Sequence, residues 1–300
     1  MQRQVTSSTT GIRWLSFRLS EVDKLDDLTT FLAAEAQSGT IAWDVQSRAA
    51  KRFHLTYTEV EEAILELSLI PLRYRRNGNL ITPPDQLRLL KSSVAVIGCG
   101  GLGGYIVEET ARLGIGRIVV VDPDRFEEHN LNRQPFSTLR TVGMPKVEAA
   151  VQRVTEINPV VTVVPVREAF SRINSGVILK DIDVAVDALD TIAARIELAE
   201  TCDALSIPMV YGTVGGWYGQ VATQMPGTGN VWKILKNYPD GEGIEKVAGV
   251  PSFGPAVIAG LETAEVCKIL LNQGNLLQGR MLFINLLDME VEEIALPNTK

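Results

Sequence analysis

The amino-acid sequence predicts an α/β fold with a doubly wound, mostly parallel sheet that antiparallel strands extend. From residue 93 onward, short apolar runs alternate with runs of helical periodicity, which is typical of parallel strands joined by helices. The glycine-rich loop GCGGLGG separates the first of these runs from the first helix. Later in the chain, Tyr218–Met225 and Met281–Leu296 are longer and are predicted to be partly antiparallel strands.

Each further element is predicted from its own run of apolar residues. The predicted strands are Val94–Ile97, Arg117–Val121, Val160–Val166, Val184–Leu189 and Pro208–Gly212. The predicted helices are one that ends near Leu113 and those at Lys146–Ile157, Ile192–Leu205 and Pro255–Leu271. The stretch Pro226–Gly249 is polar, rich in glycine and without periodicity, so it is predicted to be a mobile loop of the kind that closes over a ligand.

The start of the chain has a different pattern and is predicted to form a small helical accessory segment. Apolar residues recur at helical spacing from Val22 to Leu32. A second helix is predicted to begin at Thr58, with Glu61 completing a capping box, and to end at Pro71. The predicted domains are residues 1–70 and 71–300.

The composition limits the classes of function. The chain has 300 residues and a net charge of −7, which disfavours non-specific binding to nucleic acid. We therefore interpret Ala42–Leu67, which could form a helix-turn-helix, as part of the accessory segment and expect no nucleic-acid partner. No apolar run reaches the length of about 18 residues that a membrane span needs, and the N-terminus has no apolar signal core. We expect no membrane partner and a cytoplasmic location.

Cysteine and histidine residues argue against several kinds of site. The three cysteines, Cys99, Cys202 and Cys267, form no CxxC pair and indicate no disulfide framework. With only two histidines, His54 and His129, the sequence argues against a histidine-rich metal site and against a Ser-His-Asp triad.

The glycine-rich loop predicts a phosphate-binding site. In Gly98–Gly104, glycine between a strand and a helix lets phosphate oxygens approach backbone N–H groups at the positive end of the helix. The motif alone indicates a nucleotide, with an NAD-dependent dehydrogenase as the first candidate. Asp122, at the end of the next strand, is placed to bind ribose hydroxyls, although a solvated acid in a turn would have the same pattern.

The following segment, DPDRFEEHNLNRQPF, favours a triphosphate over a dinucleotide. It places Asn130, Arg133 and Gln134 beyond Asp122, and Lys146 follows in VGMPK at the start of a helix. Two cations near a glycine loop suit the charge of a triphosphate, whereas a dehydrogenase needs no such pair.

Asp190 is predicted to bind Mg²⁺. It lies in DVAVDALDTIAAR at the end of a central strand, on the edge where open sheets bind their ligands. A carboxylate beside a triphosphate is a natural ligand of Mg²⁺. The same residue could instead cap the helix that begins at Ile192, and both roles could hold together.

The motifs of this chain occur in an order that resembles that of a known family. They are RYRRN, GCGGLGG, VVDPD, NLNRQPF, VGMPK, DALDTIAAR and GVPSFGPAVIAGLETAE. Over residues 72–297 the chain is similar to the adenylyltransferases of molybdopterin and thiamine biosynthesis, the ThiF/MoeB/HesA family of bacterial relatives of ubiquitin-activating enzymes, in its short zinc-free type. The resemblance implies a Rossmann-like ATP-binding fold, usually in a homodimer.

The resemblance also implies roles for the residues of these motifs, with ATP and Mg²⁺ as cofactors. Arg76, the last arginine of RYRR, matches an arginine that the family donates across the dimer to the ATP of the other subunit. Asp122 would bind the ribose and Asp190 the Mg²⁺. The implied catalytic residues are Arg76, Arg133, Lys146 and Asp190. The implied nucleotide ligands are Gly98, Gly100, Gly101, Leu102, Gly103, Asp122, Asp124, Asn130, Arg133, Gln134, Lys146 and Asp190.

The implied substrate is the C-terminal glycine of a small ubiquitin-like (β-grasp) sulfur-carrier protein that ends in Gly-Gly. A C-terminal carboxyl group has a pKa of roughly 3.3–3.7, so it is ionised at neutral pH and needs no general base. Cations, a metal ion and a glycine loop suffice to align it with the α-phosphate and to neutralise the departing pyrophosphate. The product would be an acyl-adenylate.

Two departures from the family pattern lead to further expectations. Many members hold a structural zinc with two CxxC pairs, but this chain reads GNVWKIL at the first position and has no second pair before it ends in LPNTK, so we expect no zinc. Ubiquitin-activating enzymes form a thioester at a cysteine. Here Cys202 and Cys267 lie in predicted helices and Cys99 in the glycine loop, so we expect release of the acyl-adenylate without a thioester.

Three alternatives remain open. The enzyme could adenylate another carboxylate, such as that of a modified tRNA nucleoside or a peptide, although the acidic charge argues against tRNA. The chain could be a non-catalytic partner subunit, but the presence of Arg133, Lys146 and Asp190 argues against this. An NAD-dependent dehydrogenase is the third alternative.

Overall fold

A computed structural model describes residues 25–237 and 248–296 of the chain. The chain divides into two compact units, one that ends at Leu87 and one that begins at Arg88. The domain boundary that the sequence predicts at residue 70 stays a prediction.

The first unit is built from helices around a small parallel sheet. Its helices are residues 25–35 (α1), Trp43–Phe53 (α2) and Tyr57–Glu66 (α3), and its strands are Thr40–Ile41 (β1) and Ile70–Pro71 (β2). Leu28 and Leu32 of α1 and Val60 and Ile64 of α3 are buried, as the apolar spacing predicted, whereas Leu25 in the same apolar run is 50% exposed. Val22 lies outside the described residues.

The capping box of α3 was predicted two residues too late. Thr56, not Thr58, is the N-cap: its side chain accepts from the backbone N–H of Glu59, whose carboxylate binds the backbone of Thr56. Glu61 is wholly buried and has a different role. Its carboxylate contacts Arg73 and accepts from the Tyr74 hydroxyl at 3.1 Å.

The RYRRN motif and the segment that follows it are mostly helical. Leu72–Asn77 is a 3₁₀ helix, and Pro83–Lys91 is an α-helix (α4). Proline fits the first turn of a helix, where its missing N–H has no partner to lose. Thr82 and Asp85 bind each other's backbone N–H groups at 3.4 and 3.1 Å and so cap α4.

The second unit contains an eight-stranded sheet of order β10-β9-β8-β7-β6-β3-β4-β5. Strands β3 to β7 pair in parallel and β7 to β10 in antiparallel fashion, which confirms the predicted fold class. The strands are Ser93–Ile97 (β3), Arg117–Val121 (β4), Thr162–Val166 (β5), Val184–Asp187 (β6), Met209–Gly215 (β7), Tyr218–Gln224 (β8), Arg280–Asn285 (β9) and Glu290–Ala295 (β10).

Helices cover both faces of this sheet. They are Gly101–Leu113 (α5), Lys146–Ile157 (α6), Arg172–Ile178 (α7), Ile192–Ala204 (α8), Asn230–Leu235 (α9) and Phe253–Leu271 (α10). Helices α5, α6 and α10 pack on one face, and α8 and α9 contact β6 and β8 on the other. The parallel strands β3, β4, β6 and β7 are buried along almost their whole length, as two covered faces require, whereas the edge strand β5 is only partly buried.

Two predicted elements in the second unit were wrong. Met281–Leu296 is not one long strand but the hairpin of β9 and β10. The chain reverses after Asn285, whose side-chain oxygen accepts from the N–H groups of Leu287 and Asp288, and Met289 has a positive φ of 58°.

The stretch Pro226–Gly249 was predicted to lack a helix but contains α9. Gly229 supplies a left-handed start, and Val231 and Leu235, one helical turn apart, are both buried. Residues 238–247, which include the rest of the predicted mobile loop, lie outside the described part of the chain.

Candidate active site

A cleft of about 750 Å³ lies at the carboxyl edge of the parallel strands. Segments that follow β3, β4, β5 and β6 line it, as expected for an open α/β sheet. Predicted nucleotide ligands found in its lining are Gly98, Gly100, Gly101, Leu102, Asp122, Asp124, Arg133, Gln134, Lys146 and Asp190. The sequence therefore located the cleft, although it could not give its geometry.

The glycines of the loop have two different functions: some allow close packing of the backbone, and others present N–H groups to the cleft. Gly98 has a φ of +101°, and a Cβ there would collide with the carbonyl of Ala188; a Cβ at Gly103 would collide with the carbonyl of Gly98. These two glycines therefore allow strand and helix to approach. Gly100 is the N-cap of α5 and Gly101 its first residue, so both present backbone N–H groups to the cleft at the positive end of a helix.

Asp122 is held rigidly at the end of β4. Its Oδ2 accepts from the backbone N–H of Cys99 at 2.8 Å, and its Oδ1 accepts from that of Asp124 at 2.8 Å. Because a carboxylate oxygen accepts more than one hydrogen bond, both oxygens keep acceptor capacity for a ligand hydroxyl. The carboxylate thus ties the glycine loop to the turn after β4.

Lys146 lies between two carboxylates. Its Nζ is 2.9 Å from Asp124 Oδ2 and 3.6 Å from Asp122 Oδ2, and its side chain is 10% exposed. Its backbone N–H donates to the carbonyl of Asp124 at 3.0 Å, because the chain returns to this turn as α6 begins. The cleft therefore contains an ammonium group of fixed position, with the charge that a phosphate ligand needs.

Arg133 and Gln134 line the cleft, whereas Asn130 lies outside its lining and binds the backbone. The Nη1 of Arg133 donates to the His129 carbonyl at 3.2 Å, and burial lowers the pKa of its guanidinium. The buried Gln134 Oε1 has no hydrogen-bond partner in the described residues, which fits a ligand with polar hydrogens. Asn130 is not in the cleft lining, and its Oδ1 accepts from the N–H of Glu127 at 2.9 Å.

Asp190 is an exposed residue of the cleft lining, and it is not the helix cap. The N-cap of α8 is Thr191, one residue later, and its side chain makes no capping bond. The alternative that Asp190 serves only as the N-cap of α8 is therefore wrong. Gly103 does not line the cleft, and Arg76 is an exposed residue of the 3₁₀ helix in the first unit.

The sequence reasoning missed several residues of the lining. Glu168, Ala169 and Phe170 follow β5, and the signal for them in the sequence is their place after an apolar run. Val214, Gly249, Val250 and Pro255 come from the antiparallel half and its connections. Arg195, in the DALDTIAAR motif, was given no role, although it is buried at the cleft.

Two of the three cysteines, Cys99 and Cys202, are buried. Burial raises the pKa of Cys202 to about 12 and that of Cys99 higher still, so both thiols stay protonated at neutral pH. No described group of three or more His, Cys, Asp or Glu residues could hold a metal ion. No described helix has the length and apolar character that crossing a bilayer requires.

The fold and the cleft define a nucleotide-binding enzyme of the Rossmann-like class. The chain belongs to the ThiF family, which matches residues 74–300. It is 35% identical over 216 residues to the SAMP-activating enzyme E1 of Haloferax volcanii, with 71% of this chain and 80% of that protein covered. It is 34% identical over 233 residues to the sulfur carrier protein adenylyltransferase of Thermus thermophilus, with 74% and 86% covered.

Solved structures share the fold. MccB of E. coli, in a crystal structure with ATP, has a TM-score of 0.63 and 19% identity, with 85% of this chain and 83% of that chain covered. PaaA has a TM-score of 0.62 and 21% identity, with 74% and 82% covered. At this identity, the likeness concerns the fold alone.

Proposed function

We propose that this protein is an ATP-dependent adenylyltransferase that activates the C-terminal glycine of a small ubiquitin-like sulfur carrier. The observation that carries the proposal is the joint presence of Arg133, Lys146 and Asp190 in one cleft beside the glycine loop. The names of the two relatives, an activating enzyme and a sulfur carrier protein adenylyltransferase, support the same reaction.

The residues of the cleft suit this chemistry. The N–H groups at the start of α5 and the cations Arg133 and Lys146 would hold the triphosphate, and Asp122 would bind the ribose. The carrier's carboxylate attacks the α-phosphate in line, and the bond to the pyrophosphate breaks. Asp190 would hold Mg²⁺, which when bound neutralises charge on the phosphates. No general base is required, because the attacking carboxylate is already ionised.

A homodimer is part of the proposal. The segment Leu72–Asn77 carries Arg76, which would contact the ATP of the other subunit in the manner of an arginine finger. We further propose that residues 1–70 form an accessory domain, that the protein works in the cytoplasm and that it holds no zinc. Metal analysis that finds about one zinc per chain would contradict the last point.

The test of the proposed reaction is ATP–pyrophosphate exchange. We expect exchange only with Mg²⁺ and a cognate carrier that ends in Gly-Gly. A carrier that lacks its last glycine is the matched control. Equal exchange with the full and the shortened carrier would contradict the proposed substrate, and exchange with a peptide or nucleoside carboxylate alone would favour the open alternatives.

A further inference from the structure

We propose that the buried ion pair of Asp187 and Arg195 is a clamp that positions Asp190 for its metal ion. Asp187 is the last residue of β6, and Arg195 lies in the first turn of α8. The four-residue connection between β6 and α8 contains Leu189, the residue before Asp190. The proposal rests on the proposed role of Asp190.

The ion pair binds the backbone of Leu189 from both sides. Asp187 Oδ1 accepts from the N–H of Leu189 at 3.0 Å, and the guanidinium of Arg195 donates to the Leu189 carbonyl. The pair itself is joined by Arg195 Nη1 and Asp187 Oδ2 at 3.3 Å. That carbonyl belongs to the peptide whose N–H is on Asp190, so holding it restricts the direction in which the Asp190 side chain leaves the chain.

The arginine is in turn anchored to the rigid sheet. Its Nη1 donates to the Gly212 carbonyl in β7 at 2.7 Å, and its guanidinium carbon lies 5.3 Å from the centre of the Tyr211 ring. The side chains of Arg195 and Asp187 are 6% and 0% exposed. The geometry around Leu189 is therefore fixed by two strands and one helix rather than by the loop itself.

The Asp190 loop has no comparable support of its own. In the described structure the Asp190 side chain makes no hydrogen bond or ion pair, and Thr191 caps α8 without a side-chain bond. Stability alone is a weak reason for the pair, because apolar replacements of buried ion pairs are often as stable. In metal sites, a contact that does not touch the metal often fixes the orientation of a residue that does.

The test separates orientation from stability with a charge-neutral double variant. Arg195→Met and Asp187→Asn each leave one buried charge without its partner and should lower the free energy of unfolding. Together they remove both charges, and we expect much of the stability to return. Leu189 nevertheless lacks its donor in the double variant. The readout is the ratio of the ATP affinity with Mn²⁺ to the ATP affinity in EDTA. We expect this ratio to be about tenfold or more lower in the double variant than in the wild type.

Three further variants make the result decisive. Arg153→Met removes an arginine from a pair with Glu108 outside the cleft, where Arg153 Nε lies 3.0 Å from Glu108 Oε2, and should keep the wild-type Mn²⁺ effect. Arg195→Lys keeps the charge beside Asp187 but cannot donate to three acceptors in the same geometry, so it should fold and still lose part of the Mn²⁺ effect. In an Asp190→Ala background, Arg195→Met should cause no additional loss.

The outcomes distinguish the clamp from the function on which it rests. A stable double variant, or an Arg195→Lys variant, with the full wild-type Mn²⁺ effect would overturn the clamp while the adenylation proposal stands. An undiminished Mn²⁺ effect in Asp190→Ala alone would overturn the metal role of Asp190, and the clamp with it.

Discussion

Each of the two units contains a buried carboxylate–arginine pair next to a segment with a proposed ATP ligand, but the two pairs hold their segments differently. In the first unit, Glu61 on α3 binds Arg73, which is itself part of the segment Leu72–Asn77 that carries Arg76. In the second unit, Asp187 and Arg195 bind the backbone of Leu189 beside Asp190.

The difference lies in what the pairs hold. The Glu61 cluster joins side chains: Gln46 Nε2 donates to Glu61 Oε2 at 3.0 Å, Arg73 Nη2 donates to Gln46 Oε1 at 2.7 Å, and Arg73 lies over the Trp43 ring at 5.1 Å. It docks a whole segment, and its loss should lower stability. The Asp187 pair fixes one peptide unit, and its loss should mainly alter the direction of a functional side chain.

The largest expected effect concerns Asp190, the residue beside the Asp187–Arg195 pair. Asp190→Ala should raise the activation free energy of adenylation by about 3 kcal/mol, because it removes a metal ligand. The rate should therefore fall roughly 150-fold. Since Asp190 is exposed and does not cap α8, the free energy of unfolding should stay within about 0.5 kcal/mol of the wild-type value. The measurements are pyrophosphate exchange and urea unfolding. Activity that persists per folded molecule would refute the metal role.

The next prediction joins the two regions in one experiment. Arg76→Ala and Asp190→Ala dimers should each be inactive. After unfolding and joint reassembly, half of the dimers should be mixed, with one intact site of two, so roughly a quarter of the wild-type activity should return. If Arg76 acts in its own subunit, every site keeps one defect. No recovery despite demonstrated subunit exchange would exclude action across the dimer but leave adenylation untouched.

A third prediction concerns the Glu61 cluster itself. Glu61→Ala removes the anionic partner of Arg73, whose side chain is 20% exposed, and leaves the Tyr74 hydroxyl without this acceptor. We expect a loss of about 2–3 kcal/mol in the free energy of unfolding. Glu35→Gln is the matched control, because its pair with Arg48 is exposed and should contribute much less to stability. Equal effects of the two changes would contradict the docking role.

The sequence predicted elements well where local periodicity and burial agree. Arg117–Val121 and Lys146–Ile157 were correct at both ends, because these apolar runs are covered by the layers they face. Val160–Val166 began too early, because the N–H of Val161 still bonds back to the Asn158 carbonyl at 3.1 Å. Turn bonds of this kind depend on tertiary position, so a run of valines cannot reveal them.

The place of the cleft was predictable from the sequence, but its full lining and its contacts were not. Glycines, carboxylates and cations at strand ends marked the cleft, since parallel strands bring these ends together. The bonds of Asp122 to Cys99 and Asp124, and the contact of Arg195 with Leu189, join positions whose meeting depends on side-chain direction. The sequence pattern holds no signal for such contacts, and it therefore assigned Arg195 no role.

The last prediction concerns pH and the buried carboxylate of Glu262 on α10. Neither of its oxygens has a hydrogen-bond partner in the described structure. Burial, and then the negative charge of Asp187, raise its pKa well above the ordinary value. Glu61 and Asp187 each have an arginine partner, whereas Glu262 has no such direct contact. Its raised pKa is the effect that burial has on such a carboxylate.

This pKa shift fixes the sign of a pH effect. Above the ordinary pKa of about 4.3, the unfolded chain releases the Glu262 proton while the folded chain keeps it, so the folded state loses relative stability as pH rises. The loss from this group is about 1.4 kcal/mol per pH unit until the raised folded-state pKa is reached. Glu262→Gln has nearly the same shape and cannot ionise. It should match the wild type near pH 4 and become more stable than the wild type as pH increases toward 7.

Urea unfolding of both proteins between pH 4 and 7 measures this difference. Glu265→Gln, on the same helix, is the matched control, because Glu265 is buried but accepts from the Thr223 hydroxyl at 2.6 Å and the Leu277 N–H at 2.8 Å, and contacts Lys268. There the neutral amide should lower stability by about 1 kcal/mol, since it weakens charge-assisted bonds. If the Glu262→Gln and wild-type curves run parallel across this pH range, Glu262 is ionised in the folded protein and has a partner that its present contacts do not include.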